Sequence, residues 1–381
     1  MKVYLITPVD IRRSWRATEY WVYEVARYLK LKGIDARILI TKTENREKPI
    51  VGDKRVLARY AIVPKHEIRC SKITLPFNFN IFMYRNLPMD SIVYLPYSIY
   101  DYVVNLIMKP KGQKYVVGAH SMHLKNGHIV MKHNFLERTL NALMRTAIFS
   151  RSDIARNVYY HTVNNEQKAY LLRFGIDESH IFVVPIFIDT ASFAIKPNNK
   201  RRLQVVHIGG IQKDAKVVVS IISELEKKGK LDLFDFYFVG ENQPQNLLSY
   251  AKSPRVHALG AINDKAKADL LSSMDAMILP AVENFSKAML EGLASGLYII
   301  SNKMNPGAKE VLNLGAKIGF ADCAREYVNT LTGLAERKNR KILPSYKKIN
   351  RNVSLQFDRV GVLSRIKKMF DEINDREEDK I

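Results

Sequence analysis

Short apolar runs alternate with helix-period stretches along most of this chain. Val3 to Ile6 is an apolar run, a loop carrying Arg12, Arg13 and Arg16 follows, and apolar positions then recur at helical spacing from about Thr18 to Lys32, ending at Gly33. Ala36 to Ile40 is the next strand. A strand, loop, helix and strand in this order open a Rossmann-like α/β domain. Val56 to Val63 and Ile68 to Leu75 are weaker strand candidates punctuated by Pro64 and Pro76, and their place in a sheet is not readable. Ser91 to Leu95 reads as a strand, Ile99 to Met108 as a helix, and Tyr115 to Gly118 as a strand ending in Ala119-His120-Ser121. Tyr159 to Val163, a helix from Glu166 to Phe174, and Ile181 to Val184 continue the alternation, and Lys196 to Arg202 reads as a linker.

The rhythm then restarts. Gln204 to Ile208 is a strand, Gly209-Gly210 a turn, and Lys216 to Lys228 a helix, followed by strands at Phe234 to Val239 and Val256 to Leu259 and a helix from Ala266 to Ser272. Met277 to Leu279 is a strand stopped by Pro280; Ala288, Met289, Leu290, Leu293 and Ala294 recur at helical spacing, with Gly296 closing that helix and Ile299 to Ser301 following. Apolar positions from Ser354 to Ile373 fall on one helical face. The pattern predicts residues 1–195 and 196–350 as two Rossmann-like domains, with 351–381 a final helix and charged tail.

The loop and helix after Pro280 are where chemistry is expected, because ligands of open parallel sheets bind at the carboxyl ends of the strands. Glu283 lies in the loop and Glu291 two turns into the helix, and the backbone N–H groups from Phe285 to Lys287 at the helix start suit a phosphate. Two solvated surface glutamates are the plainer reading of the same spacing. His120 stands with His123, His128 and His133 in one region, at spacings that match no zinc site. The stretch 126–145 mixes Lys132, Arg138 and Arg145 with Phe135, Leu140 and Leu143; it suits either an anionic membrane surface or a domain helix with a solvated basic face.

Composition adds limits. The chain of 381 residues is 47% hydrophobic, enough for sizeable cores, and carries a formal charge of +22 that favours phosphate-bearing partners without choosing among nucleotides, lipid head groups and nucleic acid. Its two cysteines, Cys70 and Cys323, make neither a disulfide framework nor a thiolate metal site, which fits an intracellular setting. The first residues enter a strand without the apolar core of a signal peptide, and the most membrane-like stretch, 91–108, is interrupted by Pro96, Asp101 and Asn105.

The phrase Pro280, Glu283-Asn284-Phe285-Ser286, Glu291-Gly292-Leu293-Ala294-Ser295-Gly296 resembles the E-x7-E signature of retaining glycosyltransferases of the GT-B fold, family 4 in particular, which usually reads P-x-x-E-G-F-G and then E-A-x-A-x-G. The resemblance implies two Rossmann-like domains facing a cleft, a nucleotide-diphosphate sugar as donor, no metal or other cofactor, and a last helix returning to the first domain. It implies that Glu291 binds the ribose hydroxyls, Glu283 a sugar hydroxyl, and His120 the transferred sugar, with Lys216 and the turn at Gly209 and Gly210 at the diphosphate. Asn284, Phe285, Ser286 and Lys287 complete the donor site. Asn284, Ser286 and Gly292 depart conservatively from that pattern, and the chain departs from the family in two further places. Arg16 and Ala17 stand where a glycine-rich loop is expected, and Gly210 stands where an arginine is expected, leaving Gln212 or Lys213 as substitutes for it and Lys213 or Arg16 to supply the missing charge. The implied acceptor is a glycan or lipid-linked molecule, handled in the cytoplasm or peripherally at a membrane. Two other readings stay open: a nucleic-acid-modifying or nucleic-acid-binding protein, prompted by the charge, and a nucleotide-sugar-binding module without turnover, prompted by the departures.

Overall fold

The computed structural model describes residues 1–7, 17–40, 61–62, 87–88, 90–96, 113–118, 124–125, 128–129, 157–173, 175–209, 215–241, 247, 250, 253–283, 285–341 and 343–376. Arg12, Arg13, Arg16, the strand candidate 68–75, the helix candidate 99–108, His120, Gly210, Lys213 and Asn284 lie outside them, as does the basic stretch 126–145 apart from 128–129. The chain divides into two compact units: residues 1–123, 129–184 and 363–381 form one, and 124–128 and 185–362 the other.

In the first unit, β1 (Lys2–Thr7), β2 (Asp35–Ile40), β3 (Ala61–Ile62), β4 (Ser91–Leu95), β5 (Lys114–Gly118), β8 (Val158–Thr162) and β9 (Ile181–Val183) form a parallel sheet in the order β3-β2-β1-β4-β5-β8-β9. The small pair β6 (Leu124–Lys125) and β7 (His128–Ile129) stands apart. Helix α1 (Ala17–Leu31) buries Trp21, Val22, Val25, Ala26 and Leu29, the spacing of one helical face, and α2 (Asn165–Arg173) buries Tyr170 and Leu171. Strands β4 and β8 are buried along their whole length, as strands of a sheet covered on both faces must be.

Such burial brings polar groups into the core, and they are paired. His161 on β8 is fully enclosed; its Nε2–H donates to the Val184 carbonyl at 2.7 Å, so Nδ1 accepts from the Tyr94 hydroxyl at 2.7 Å, and the Trp21 indole N–H points at the same hydroxyl at 3.4 Å. Burial, only partly opposed by the bond to Val184, lowers the His161 pKa from 6.5 to about 4. The unfolded chain therefore binds a proton between these values that the folded chain refuses. The stability tied to neutral His161 is complete above pH 6.5 and is lost as pH falls towards 4, by about 3 kcal/mol in total. Melting followed across this window should show a steeper acid loss for the parent than for His161→Gln; equal slopes would assign the acid sensitivity to other groups.

In the second unit, β10 (Leu203–Ile208), β11 (Phe234–Val239), β12 (Val256–Gly260), β13 (Ala276–Leu279), β14 (Tyr298–Ser301) and β15 (Ile318–Phe320) are all parallel, in the order β12-β11-β10-β13-β14-β15. Counted within the unit this is 3-2-1-4-5-6, the doubly wound order, and the first unit follows the same order with an added strand. The chain reverses its direction of growth between β10 and β13. Helices α3 (Ala215–Lys227), α4 (Asp264–Ser272), α5 (Lys287–Ala294), α6 (Pro306–Asn313), α7 (Ala324–Asn339) and α8 (Leu343–Ser354) complete the unit. Two apolar clusters fill it, one built around Phe234, Phe236, Ile278 and Leu331 and the other around Met277, Leu290, Leu293 and Ile299.

The single helix expected over 354–373 is two elements. A 3-10 turn at Leu355–Phe357 separates α8 from α9 (Arg359–Asp375). Residues 363–381 belong to the first unit, where Phe370 meets the Tyr94 ring edge-on at 5.5 Å and Lys114 Nζ donates to the carbonyls of Ile373 and Asn374 at 2.8 and 3.0 Å. Those carbonyls end α9, so the lysine caps it where a cation is favoured. Among the described residues no helix is long and apolar enough to cross a membrane.

Candidate donor site at the carboxyl edge of the second sheet

In a parallel sheet with crossover helices, each helix that follows a strand starts at the carboxyl edge. The helices after β10, β12, β13 and β14 therefore bring their N-terminal turns to one side of the second unit, around the switch point between β10 and β13. Lysines ride on those turns, among them Lys216 on α3, Lys267 on α4 and Lys287 on α5.

The loop from Pro280 to Ser286 is fixed at both ends. Ser286 caps α5 by accepting from the Met289 N–H at 3.4 Å, and Asn305, which caps α6, donates to the Ala281 carbonyl at 3.3 Å. Phe285 packs its ring 5.3 Å from that of Phe357, anchoring the loop on the 3-10 turn. Glu283 is half-buried in this loop.

Glu291 is not a solvated side chain. It is 3% exposed, on a helix whose residues from Met289 to Ala294 are all buried. Lys267 Nζ donates to its Oε1 at 2.9 Å and Lys287 Nζ stands 3.8 Å from the same oxygen, while Oε2 makes no hydrogen bond among the described residues. Lys267 also pairs with Asp264 at 3.0 Å. Burial works against the Lys267 ammonium, but Glu291 and then Asp264 outweigh it and hold its pKa above the ordinary lysine value. The result is a buried carboxylate with one oxygen fixed by lysine and the other available, a fit for a hydroxyl donor such as a vicinal diol.

On the other side of the switch point the backbone itself comes close. Gly209 follows β10 with φ +143 and Gly240 follows β11 with φ +135, conformations that side chains rarely adopt. A Cβ on Gly240 would lie 2.9 Å from the Gly209 carbonyl carbon, so these two strand ends approach as only glycine permits. Lys216, one turn into α3, is exposed and its ammonium has no partner among the described residues.

The structure thus places Glu291, Phe285, Ser286, Lys287 and Glu283 on one loop-helix unit, with Gly209 and Lys216 on the neighbouring strand-helix unit at the same edge. Lys267 was missed by the sequence reading. Its only local signal was the Asn263 cap, which accepts from the Ala266 N–H at 2.8 Å and sets Lys267 on the first turn of a helix at the ligand-binding edge.

Residues 202–336 match the family model described as "Glycosyl transferases group 1". No match was found among curated protein sequences. Among solved structures, a glycosyltransferase from Rickettsia africae ESF-5 is similar at TM-score 0.68 and 16% identity, over 99% of both chains. A sucrose-phosphate synthase from Thermosynechococcus elongatus is similar at TM-score 0.73 and 13% identity, over 98% of both. Anabaena Alr3699/HepE, solved in complex with UDP and glucose, is similar at TM-score 0.66 and 13% identity, over 97% of this chain and 99% of that one. These structural likenesses establish the fold, and the family match falls on the unit that carries the donor-site residues. The second unit carries a group 1 glycosyl transferase domain on a chain of GT-B fold, and the protein is a glycosyltransferase.

Proposed function

We propose that the protein transfers a sugar from a nucleoside diphosphate donor with retention of anomeric configuration, and that the second unit holds the donor. The observation that carries this reading is the buried Glu291 carboxylate, fixed through Oε1 and open at Oε2, at the carboxyl edge of the switch-point strands. Oε2 accepts from the ribose hydroxyls. Lys216 and the N-terminal turn of α5, with Phe285, Ser286, Asn284 and Lys287 around it, meet the diphosphate, whose negative charge grows as the sugar departs. Gly209 and Gly210 let the backbone approach that group, and Lys213 or Arg16 supplies the charge that Gly210 lacks. Glu283 receives a sugar hydroxyl, and His120 contacts the sugar from the first unit. The reading needs no metal, because lysines and helix N–H groups supply the positive charge at the leaving group. The acceptor is a glycan or lipid-linked molecule, reached in the cytoplasm or at an anionic membrane face.

The bound UDP and glucose of the Anabaena structure make uridine donors the first to test. Purified protein should show a thermal shift with at least one nucleotide sugar and release the corresponding nucleoside diphosphate on adding acceptor glycans. NMR of the product should show the donor's anomeric configuration. An inverted product would remove the retaining mechanism and leave the donor site; no shift with any nucleotide sugar would favour a different ligand at this edge.

A further inference from the structure

The opposite edge of the second sheet carries a second concentration of charge. A cavity of about 650 Å³ opens between the segment before β10, Asp275 just before β13, and the junction of α7 with α8. These are the amino ends of the same two strands whose carboxyl ends form the donor site, so the cavity lies at the far side of the sheet from it.

Its floor is a buried carboxylate shared by two lysines. Asp275 takes Lys338 Nζ at 2.6 Å and stands 3.6 Å from Lys347 Nζ, while Asn198 Nδ2 and the Gln204 N–H donate to it at 2.9 and 3.0 Å. One carboxylate neutralises one lysine, so the floor keeps a net positive charge. Burial lowers the Lys347 pKa, Asp275 pulls it up, and Lys338 pushes it down again, with the balance below the ordinary value.

The rim adds charge without neutralising it. Arg201, Lys341 and Lys348 line the cavity, are exposed, and make no ion pair or side-chain hydrogen bond among the described residues. Lys200 is held over the Tyr237 ring and bonded to the neutral Gln204 side chain, and Lys196 reaches Asp269 at 3.4 Å. Lys341 is the one non-glycine residue with positive φ among those described, at +60, which is the left-handed position that ends α7 and turns its side chain onto the junction with α8. A cavity of this size fits a small ligand, and cations converging on it in excess of its one lining carboxylate favour a multiply charged anion.

We propose that this cavity binds a phosphate-bearing anion, a phosphomonoester or diphosphate group, at a site distinct from the donor site. The group sits over the Lys338–Asp275–Lys347 floor and takes Arg201, Lys341 and Lys348 from the rim. The phosphate comes either from a soluble phosphorylated compound or from the head group of an anionic lipid; the recognition chemistry is the same.

Calorimetry of the full-length protein with inorganic pyrophosphate tests the site. Arg201→Ser with Lys348→Ser removes two exposed rim charges that make no ion pair or side-chain hydrogen bond among the described residues, and should weaken pyrophosphate binding by about tenfold or more. Lys216→Ala, at the donor edge, should leave that binding in place. A control pair at exposed positions elsewhere on the unit, Lys227→Ser with Lys230→Ser at the end of α3, removes the same net charge and should change it little. Parent-like binding by the rim pair, or an equal loss in the control pair, overturns the proposal. Sedimentation with phosphatidylcholine vesicles with and without phosphatidic acid then separates the sources. Rim-dependent binding to the phosphatidic acid vesicles alone identifies a lipid head group; rim-dependent pyrophosphate binding without sedimentation identifies a soluble ligand.

Discussion

Glu291→Ala is expected to lower stability by about 3 kcal/mol and to remove donor binding, two effects that a second variant separates. The Glu291 side chain is 4% exposed and that of its partner Lys267 15%, so the substitution leaves an ammonium largely out of water with only Asp264, itself 90% exposed, beside it. Breaking a fully buried pair costs about 3 to 5 kcal/mol, and the help from Asp264 puts this case at the lower end. In the double variant Glu291→Gln with Lys267→Met both charges are gone and the volumes are kept, so most of the stability should return. Donor affinity should not return, because charge-assisted bonds to the ribose hydroxyls are worth about 1.5 to 3 kcal/mol, a loss of tenfold to over a hundredfold. Thermal melts and nucleotide-sugar titrations read the two quantities separately. Parent-like donor binding by the stable double variant would make the pair purely structural and move the nucleotide elsewhere.

The spacing alone made Glu291 readable as a solvated surface glutamate, and its burial shows where that pattern stops being informative. Between Ala288 and Leu297 almost every position is apolar or small, so α5 has little polar face to turn outward, and Gly292 packs within reach of Met277 and Ile299. The pairing with Lys267 depends on which strands are neighbours, a non-local property. Most of the described strands and helices up to Ser301 were legible from short apolar runs and helical spacing, β4 and β11 to the residue, whereas β3 was only a weak candidate and the two-residue strands β6 and β7 are too short to show a period. Helix α7 went unread although Tyr327, Val328, Leu331, Leu334 and Ala335 have helical spacing, a signal that was available. Helix α8 hides its period for a physical reason, because Lys347 and Asn350 lie on its buried face. Asn350 stands in for backbone there, donating to the carbonyls of Leu297 and Lys317 at 2.7 and 2.9 Å and accepting from the Lys317 N–H at 2.6 Å. The tail was read as one helix because its apolar spacing runs through the break at Leu355–Phe357, where Phe357 is still buried.

Asp275→Ala is expected to destabilise the second unit by about 3 to 5 kcal/mol at neutral pH. It strips the counter-charge from Lys338 and Lys347, whose side chains are 12% and 11% exposed, and takes the acceptor from the Gln204 N–H at the start of β10. The charge part of this cost depends on pH in a definite direction. Lys347 in the folded parent already titrates below 10.5, so between its folded pKa and 10.5 the unfolded chain holds the extra proton and stability from this group rises with pH. Removing Asp275 takes away the largest influence raising that pKa, which moves the lower limit of the window down. The deficit of Asp275→Ala against the parent should therefore be greatest at neutral pH and shrink as the pH rises through this window to 10.5, the upper limit that both proteins share. Adding Lys338→Met should restore part of the loss by removing one of the two unpaired ammonium groups. Urea melts of the three proteins at neutral and alkaline pH decide the matter. A deficit independent of pH and untouched by Lys338→Met would place the whole cost on the lost bonds to Asn198 and Gln204, and the floor of the cavity would then be held by neutral hydrogen bonds in place of charge.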